Sequence, residues 1–248
     1  MEIKSFGVGR RMRECERLLS SVLGGISGRL ILLPIPTTRD NIYISGTDLT
    51  LGSLLPLIDS ETTLAGYNIP KSLTEYAVSV GADIFDAGQD ENFLLDNARI
   101  SAKGAFGYLL TSFPRDVADM TIGIVGYGRI GRELLRYLLL FGAEPILFTR
   151  RQEVALELGE SGVKCRVLGE ENDLTSLDIL VNTSPSRQIR EEELDPKTEI
   201  IDLASGNIFE PSAHLTKLSS IPDSSYPITA GRLYAEAILR HLDMEVSL

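Results

Sequence analysis

The chain has 248 residues, 43% of them apolar, which suffices for two ordinary domains with buried cores and falls short of three. Its 35 Asp and Glu residues outnumber the 24 Lys and Arg residues, a formal charge of -11, and this excludes a broad basic surface for DNA or RNA. Cys15 and Cys165 lie far apart with neither CxxC nor metal-ligand spacing, so isolated thiols of a reducing compartment are expected and a metal site is not.

The opening Met1-Glu-Ile-Lys-Ser-Phe-Gly-Val-Gly-Arg-Arg lacks the apolar run of a signal peptide. The longest strongly apolar stretches, 30–35 and 138–141, are far below the ~20 residues that span a bilayer. A soluble cytoplasmic protein with no membrane partner is expected. Residues 11–23 place Met12, Cys15, Leu18, Leu19, Val22 and Leu23 at helical spacing, and Gly24-Gly25 supplies a stop. Arg29-Leu-Ile-Leu-Leu-Pro-Ile-Pro reads as a strand buried on both faces of a parallel sheet. A polar stretch at 37–41 follows, then a short helical segment at 53–58, a strand at 62–67, a helix at 72–80 and a strand or loop at 82–86. This alternation predicts a small open α/β substrate domain over residues 1–96.

Residues 97–113 read as a long helix ended by Pro114, within a helical connector at 97–116. Met120-Thr-Ile-Gly-Ile-Val-Gly then begins a second open α/β domain, a Rossmann doubly wound parallel sheet over 117–227. Its helix spans 130–141, its further strands 145–148, 164–168, 179–182 and 200–203, with helices or loops between. A last helix at 230–242 lies in a C-terminal segment, 228–248.

Gly126-Tyr127-Gly128-Arg129-Ile130-Gly131 is G-x-G-x-x-G set between a strand and a helix, the context a dinucleotide site requires. Gly126 allows the tight turn, Gly128 lets backbone amides approach a pyrophosphate, and Gly131 lets the helix pack closely. The helix N-terminus then faces the anion. A structural strand-turn-helix is the alternative. The second strand ends in Thr149-Arg150-Arg151 with no acid before Glu153. An acid there binds the ribose 2′-hydroxyl and arginine suits a 2′-phosphate, so NADP is favoured over NAD, unless both arginines are merely solvated.

Ligands of open α/β sheets bind at the carboxyl ends of strands. Asn182, Thr183 and Ser184 follow one strand and either hydrogen-bond the cofactor or form a polar turn with Pro185; Asp202 and Ser205 follow another, and Asp202 either takes part in chemistry or caps the next segment. In the first domain Thr37, Thr38, Arg39 and Asp40 follow a buried strand, and Arg39 either forks onto a substrate carboxylate or lies in a solvated loop. Lys103, near the start of the connector, either polarises a carbonyl or imine or extends to water. Neither His214 nor His241 stands in a recognisable base motif, and no general base is singled out.

Five stretches, in order and spacing over about residues 97–240, carry a resemblance: Asn97-Ala-Arg-Ile-Ser-Ala-Lys-Gly-Ala, Ile124-Val-Gly-Tyr-Gly-Arg-Ile-Gly, Asp178-Ile-Leu-Val-Asn-Thr-Ser-Pro, Ile201-Asp-Leu-Ala-Ser and Thr229-Ala-Gly. The chain resembles the A-subunit family of dipicolinate synthase from spore-forming bacteria. The resemblance implies an NADP-linked dehydrogenase of sporulation that acts on a small carboxylated, tetrahydrodipicolinate-like substrate held in the cleft between two α/β domains. It also implies a second synthase subunit or a homo-oligomer. The chain departs from that pattern at Phe6-Gly-Val-Gly-Arg-Arg, a reduced glycine unit, at Gly206-Asn-Ile-Phe-Glu in place of Pro-Gly-Gly, at Ile221-Pro-Asp-Ser-Ser in place of Pro-Gly-Leu-Pro-Gly, and at Lys103 in place of an acid. A nucleotide-binding regulatory or partner subunit with decayed catalysis, or an amino-acid dehydrogenase, therefore stands beside the leading expectation.

Overall fold

The computed structural model describes residues 1–169, 174–206 and 208–244. The chain divides into two compact units, Met1–Asn97 with Pro222–Leu248, and Ala98–Ile221. No helix among the described residues is long and apolar enough to cross a membrane.

The first unit opens with strand β1 (Glu2–Ser5), helix α1 (Arg10–Leu23) and strand β2 (Arg29–Leu32). A 3-10 segment at Leu51–Leu57 leads to β3 (Thr62–Gly66), α2 (Lys71–Ser79) and β4 (Asp83–Asp86). The four strands pair in parallel in the order β1-β2-β3-β4. Successive residues of β2 serve opposite faces, as the pleat dictates. Leu30 and Leu32 join Leu19 and Leu23 of α1, while Ile31 and Leu33 join Leu54, Leu73 and Ala77 on the other face. β1 was not among the expected strands, because Glu2-Ile-Lys-Ser has one apolar residue and its strand has a single neighbour at the sheet edge.

Helix α3 (Glu91–Ser112) runs from the first unit into the second. It begins six residues earlier than the sequence suggests, because Asp90 accepts from the amides of Asn92 and Phe93 and so caps the first turn. The second unit contains β5 (Ile122–Val125), α4 (Arg129–Leu140), β6 (Ile146–Thr149), α5 (Gln152–Glu160), β7 (Lys164–Val167), β8 (Ile179–Asn182), β9 (Glu199–Asp202) and β10 (Leu215–Lys217). All pair in parallel, and the order β7-β6-β5-β8-β9-β10 is the 3-2-1-4-5-6 order of a doubly wound Rossmann sheet. The fold class is thus α/β with two parallel sheets, the C-terminal one of Rossmann type. β5 and β8 are buried along their whole length, consistent with helices on both faces of a parallel sheet.

The chain closes with α6 (Ile221–Ser225) and α7 (Pro227–His241). Pro227 opens α7 at the first helical position, where its missing N–H is no loss. Within the first unit α7 packs on α1 closely enough that a Cβ on Gly231 would lie 2.5 Å from the Arg11 carbonyl oxygen.

Candidate nucleotide site

The strand order reverses between β5 and β8, and the glycine-rich turn lies at that switch point, after the carboxyl end of β5. Gly126 has φ +97°, a backbone state that L side chains avoid, and a Cβ there would stand 2.9 Å from Thr183 Oγ1. A Cβ on Gly131 would stand 2.1 Å from the Gly126 carbonyl oxygen, so α4 touches the turn with no room for a methyl group. Gly128 differs from both. Its φ of -83° and ψ of -168° are extended and open to any residue, and a Cβ added there meets no protein atom within 4 Å. Gly128 is the N-cap of α4 and gives no side-chain cap, so the first amides of that helix face an open place in which an anion would be favoured.

Thr183 faces the turn: its hydroxyl donates to the Val125 carbonyl at 2.9 Å and to that of Gly126 at 3.3 Å. Asn182 is 1% exposed. Its amide nitrogen donates to Asp202 Oδ1 at 2.8 Å and to the Ser184 carbonyl at 3.0 Å, and its Oδ1 accepts from the Ser184 amide at 3.1 Å. Asp202, equally buried, also accepts from the Ala204 amide at 3.1 Å. Asn182 and Asp202 therefore lock the ends of β8 and β9 together. Ser184 is partly buried, with its hydroxyl 3.4 Å from that of Ser186, and Ser205 is exposed one residue beyond Ala204.

At the end of β6 Thr149 is buried and its hydroxyl accepts from the Arg151 amide at 3.1 Å. Arg151 Nη2 donates to the Tyr127 carbonyl at 2.8 Å, and its guanidinium carbon lies 5.9 Å from the centre of the Tyr127 ring. Arg132 of α4 lies 5.8 Å from the same ring centre. Arg150 is exposed. Arg129 and Ile130 form the first turn of α4. The sequence named every one of these residues except Arg132, whose signal was its place three residues after Arg129 on one helix face.

In the first unit Thr37 is fully buried and accepts from the Tyr67 amide at 3.0 Å, a structural contact. Thr38 Oγ1 accepts from the Asn41 amide, and Asp40 Oδ1 accepts from the amides of Ile42 and Tyr43, both at 2.9 Å. The Tyr43 and Ile42 amides hold the Asp40 carboxyl below its usual range. Arg39 is exposed and, with Tyr43, Ser45 and Asp48, lines a cavity of about 300 Å³. The Ser45 hydroxyl is buried with no hydrogen-bond partner among the described residues. Lys103 lies exposed on α3. His214 pairs with Glu199 at 2.8 Å and His241 with Asp83 at 2.9 Å.

Residues 100–220 match the NAD binding domain of the D-isomer specific 2-hydroxyacid dehydrogenases. Glyoxylate reductase from Thermococcus onnurineus is 35% identical over 104 residues, 40% of this chain and 31% of that protein. Its counterpart from Thermococcus litoralis is 32% identical over 103 residues, with the same shares covered. The chain thus spans about a third of the length of the curated relatives it matches. Among solved structures, the A-subunit of dipicolinate synthase from Bacillus halodurans superposes with a TM-score of 0.80 at 17% identity, covering 98% of both chains. The corresponding polypeptide of dipicolinate synthase from Bacillus subtilis gives 0.77 at 18% identity, covering 98% of this chain and 96% of that one. The chain has the fold of the dipicolinate synthase A-subunit, and residues 100–220 carry a dehydrogenase-type nucleotide-binding fold.

Proposed function

We propose that this protein is an NADP(H)-dependent oxidoreductase acting on a small carboxylated substrate of the tetrahydrodipicolinate kind. The observation that carries the reading is Gly128. The protein itself explains why residues 126 and 131 are glycine, through a positive φ and a backbone contact, but offers no neighbour that would exclude a side chain at 128. A pyrophosphate on the uncapped first turn of α4 supplies that reason. The residues present therefore fit a dinucleotide: Gly126–Gly131 would cradle the pyrophosphate, and Arg150 with Arg151 would take a 2′-phosphate. When bound, the nicotinamide ring supplies the hydride chemistry.

The chain's own residues then bind and orient. Thr183 ties the end of β8 to that of β5 at the switch point, Asn182 and Asp202 tie the ends of β8 and β9 beside it, and Ser184 and Ser205 offer hydroxyls nearby. On the first unit, the Arg39 fork and the unpartnered Ser45 hydroxyl suit a planar carboxylate, while Thr37, Thr38 and Asp40 shape the loop that presents them. Lys103 offers an exposed ammonium for a substrate carbonyl or imine.

A second reading, a nucleotide-binding partner subunit without turnover, is favoured by the engagement of the polar groups. His214 and His241 pair with Glu199 and Asp83, the first residues of β9 and β4, and Asp202 Oδ1 is taken up by Asn182 and the Ala204 amide, so no histidine base stands at the carboxyl strand ends among the described residues. Titration with NADPH and NADH, followed by a panel of dicarboxylic and amino acids with NADP+, separates the readings. NADPH binding tighter than NADH binding, with reduced cofactor formed from a dicarboxylate, is expected. Tight NADPH binding with no turnover favours the partner subunit, and binding of neither nucleotide overturns both.

A further inference from the structure

Two arginines, Arg132 and Arg151, flank the Tyr127 ring, and a third, Arg150, precedes Arg151, in a chain whose formal charge is -11. Arg151 arrives from the end of β6 and uses one of its five donors on the Tyr127 carbonyl. Arg150 precedes it, exposed. Arg132 comes from α4, on the other side of the glycine turn, and its guanidinium lies as close to the Tyr127 ring as that of Arg151. None of the three has a carboxylate partner among the described residues. The contrast with Arg136, one turn further along α4, is direct: it pairs with Glu133 at 2.8 Å and stacks on Tyr137. Glu133, adjacent to Arg132 in sequence, is thus turned to a different cation. Guanidinium groups gathered on one phenol ring repel each other unless an anion is shared between them. The ring offsets part of that repulsion through its negative face and holds the groups in place.

We propose that Arg132 is a specificity-determining residue of the nucleotide site, binding the adenosine 2′-phosphate of NADP(H) together with Arg150 and Arg151, with Tyr127 as the platform that positions the guanidinium groups. The inference rests on the reading of this site as one for NADP(H). Arginine suits the task because its planar fork matches a phosphate with two parallel hydrogen bonds, which a lysine ammonium does not reproduce. The phosphate would lie where the end of β6 and the first turns of α4 meet, so one anion would neutralise cations from two elements. Arg132 would have no comparable partner on NAD(H), which carries a hydroxyl at that position.

The test is fluorescence titration of the whole chain with NADPH and NADH, with displacement by 2′,5′-ADP as a probe of the phosphate alone. Arg132→Ala is expected to weaken NADPH and 2′,5′-ADP at least tenfold and NADH less than twofold. Arg132→Lys should recover only part of the loss. Tyr127→Phe, which keeps the ring, should bind NADPH as the parent does, whereas Tyr127→Leu should fall between the parent and Arg132→Ala. Thermal melts without nucleotide confirm that the variants are folded. Equal weakening of NADPH and NADH in Arg132→Ala overturns the proposal, as does unchanged NADPH binding. A parent that prefers NADPH and keeps that ratio in Arg132→Ala sinks the Arg132 assignment alone. A parent that binds the two nucleotides equally sinks the NADP(H) reading, and the assignment with it.

Discussion

Three glycines in one motif serve different ends, and substitution should separate them. Gly131→Ala puts a methyl group 2.1 Å from a backbone oxygen that no side-chain rotation can relieve. Overpacking of that kind costs about 1–3 kcal/mol. A lower melting temperature for Gly131→Ala is expected with or without nucleotide. Gly128→Ala meets nothing and should cost at most about 1 kcal/mol, the difference between glycine and alanine at an N-cap. Its melting temperature should stay near that of the parent, while the stabilisation conferred by added NADPH is largely lost. Full retention of that stabilisation would place the phosphate elsewhere. Asp202 calls for a similar comparison. Its Oδ1 accepts both from Asn182 and from the Ala204 amide, and the asparagine oxygen of Asp202→Asn can take the same two bonds. Asp202→Ala leaves two buried donors unmet, at about 1–3 kcal/mol each. Chemical denaturation is expected to show Asp202→Ala strongly destabilised and Asp202→Asn within about 1 kcal/mol of the parent. Loss of turnover in a stable Asp202→Asn protein would instead mark Asp202 as a participant in the chemistry.

At the scale of elements, the entry to β5 depends on one carboxylate. Asp178 accepts from the Thr121 amide and from Arg115 Nη1, both at 2.8 Å. The Thr121 bond, with the Arg115 guanidinium beside it, holds the Asp178 carboxyl below its usual range. A lowered folded-state value means that the stabilisation is complete above the ordinary aspartate value of about 3.9 and is lost as pH falls through the lowered one. The side chain is 36% exposed, so its contribution is about 1 kcal/mol at neutral pH. Asp178→Ala should melt lower than the parent at pH 7, and the gap should close as pH falls below about 4. A gap that does not narrow at all as the pH is lowered from 7 through the aspartate range would mean the carboxylate charge contributes nothing. Elements of this kind were legible where burial dictated composition: β5 and β8 read as strands because both of their faces are covered. β1 and the three-residue β10 escaped because each lies at a sheet edge, where polar residues are tolerated. The start of α3 escaped because its cap, Asp90, stands inside a polar stretch. In the site, the glycine turn and the Thr149-Arg150-Arg151 end of β6 could be read from spacing. The inward engagement of Asn182, Thr183 and Asp40 could not, since polar residues at strand ends and in loops serve protein and ligand equally well.

For the whole molecule, the decisive fact is that the first unit is built from both ends of the chain. α7 supplies Tyr234, Ile238 and Leu239, all fully buried in the core formed with α1 and β2, and the Tyr234 hydroxyl donates to the Leu33 carbonyl at 3.2 Å. Burying each such side chain contributes about 1.5–3 kcal/mol, so the helix as a whole approaches the roughly 5–15 kcal/mol that stabilises a typical domain. Arg11, 2% exposed, ties the same assembly together: it donates to Asn97 at 3.1 Å and pairs with Asp223 at 3.4 Å, residues next to the points where the chain leaves this unit and returns. The second unit is continuous in sequence and has its own two cores. A fragment of residues 98–221 is therefore expected to fold cooperatively and retain NADPH binding. Residues 1–97 alone should remain without a cooperative melt, because removing α7 uncovers the apolar face of α1 and of β2. Joining residues 1–97 to 222–244 through a flexible linker should restore a cooperative transition. Circular dichroism melts of the three fragments decide the matter, and a cooperative melt for residues 1–97 alone would show that α7 is dispensable to the unit it completes.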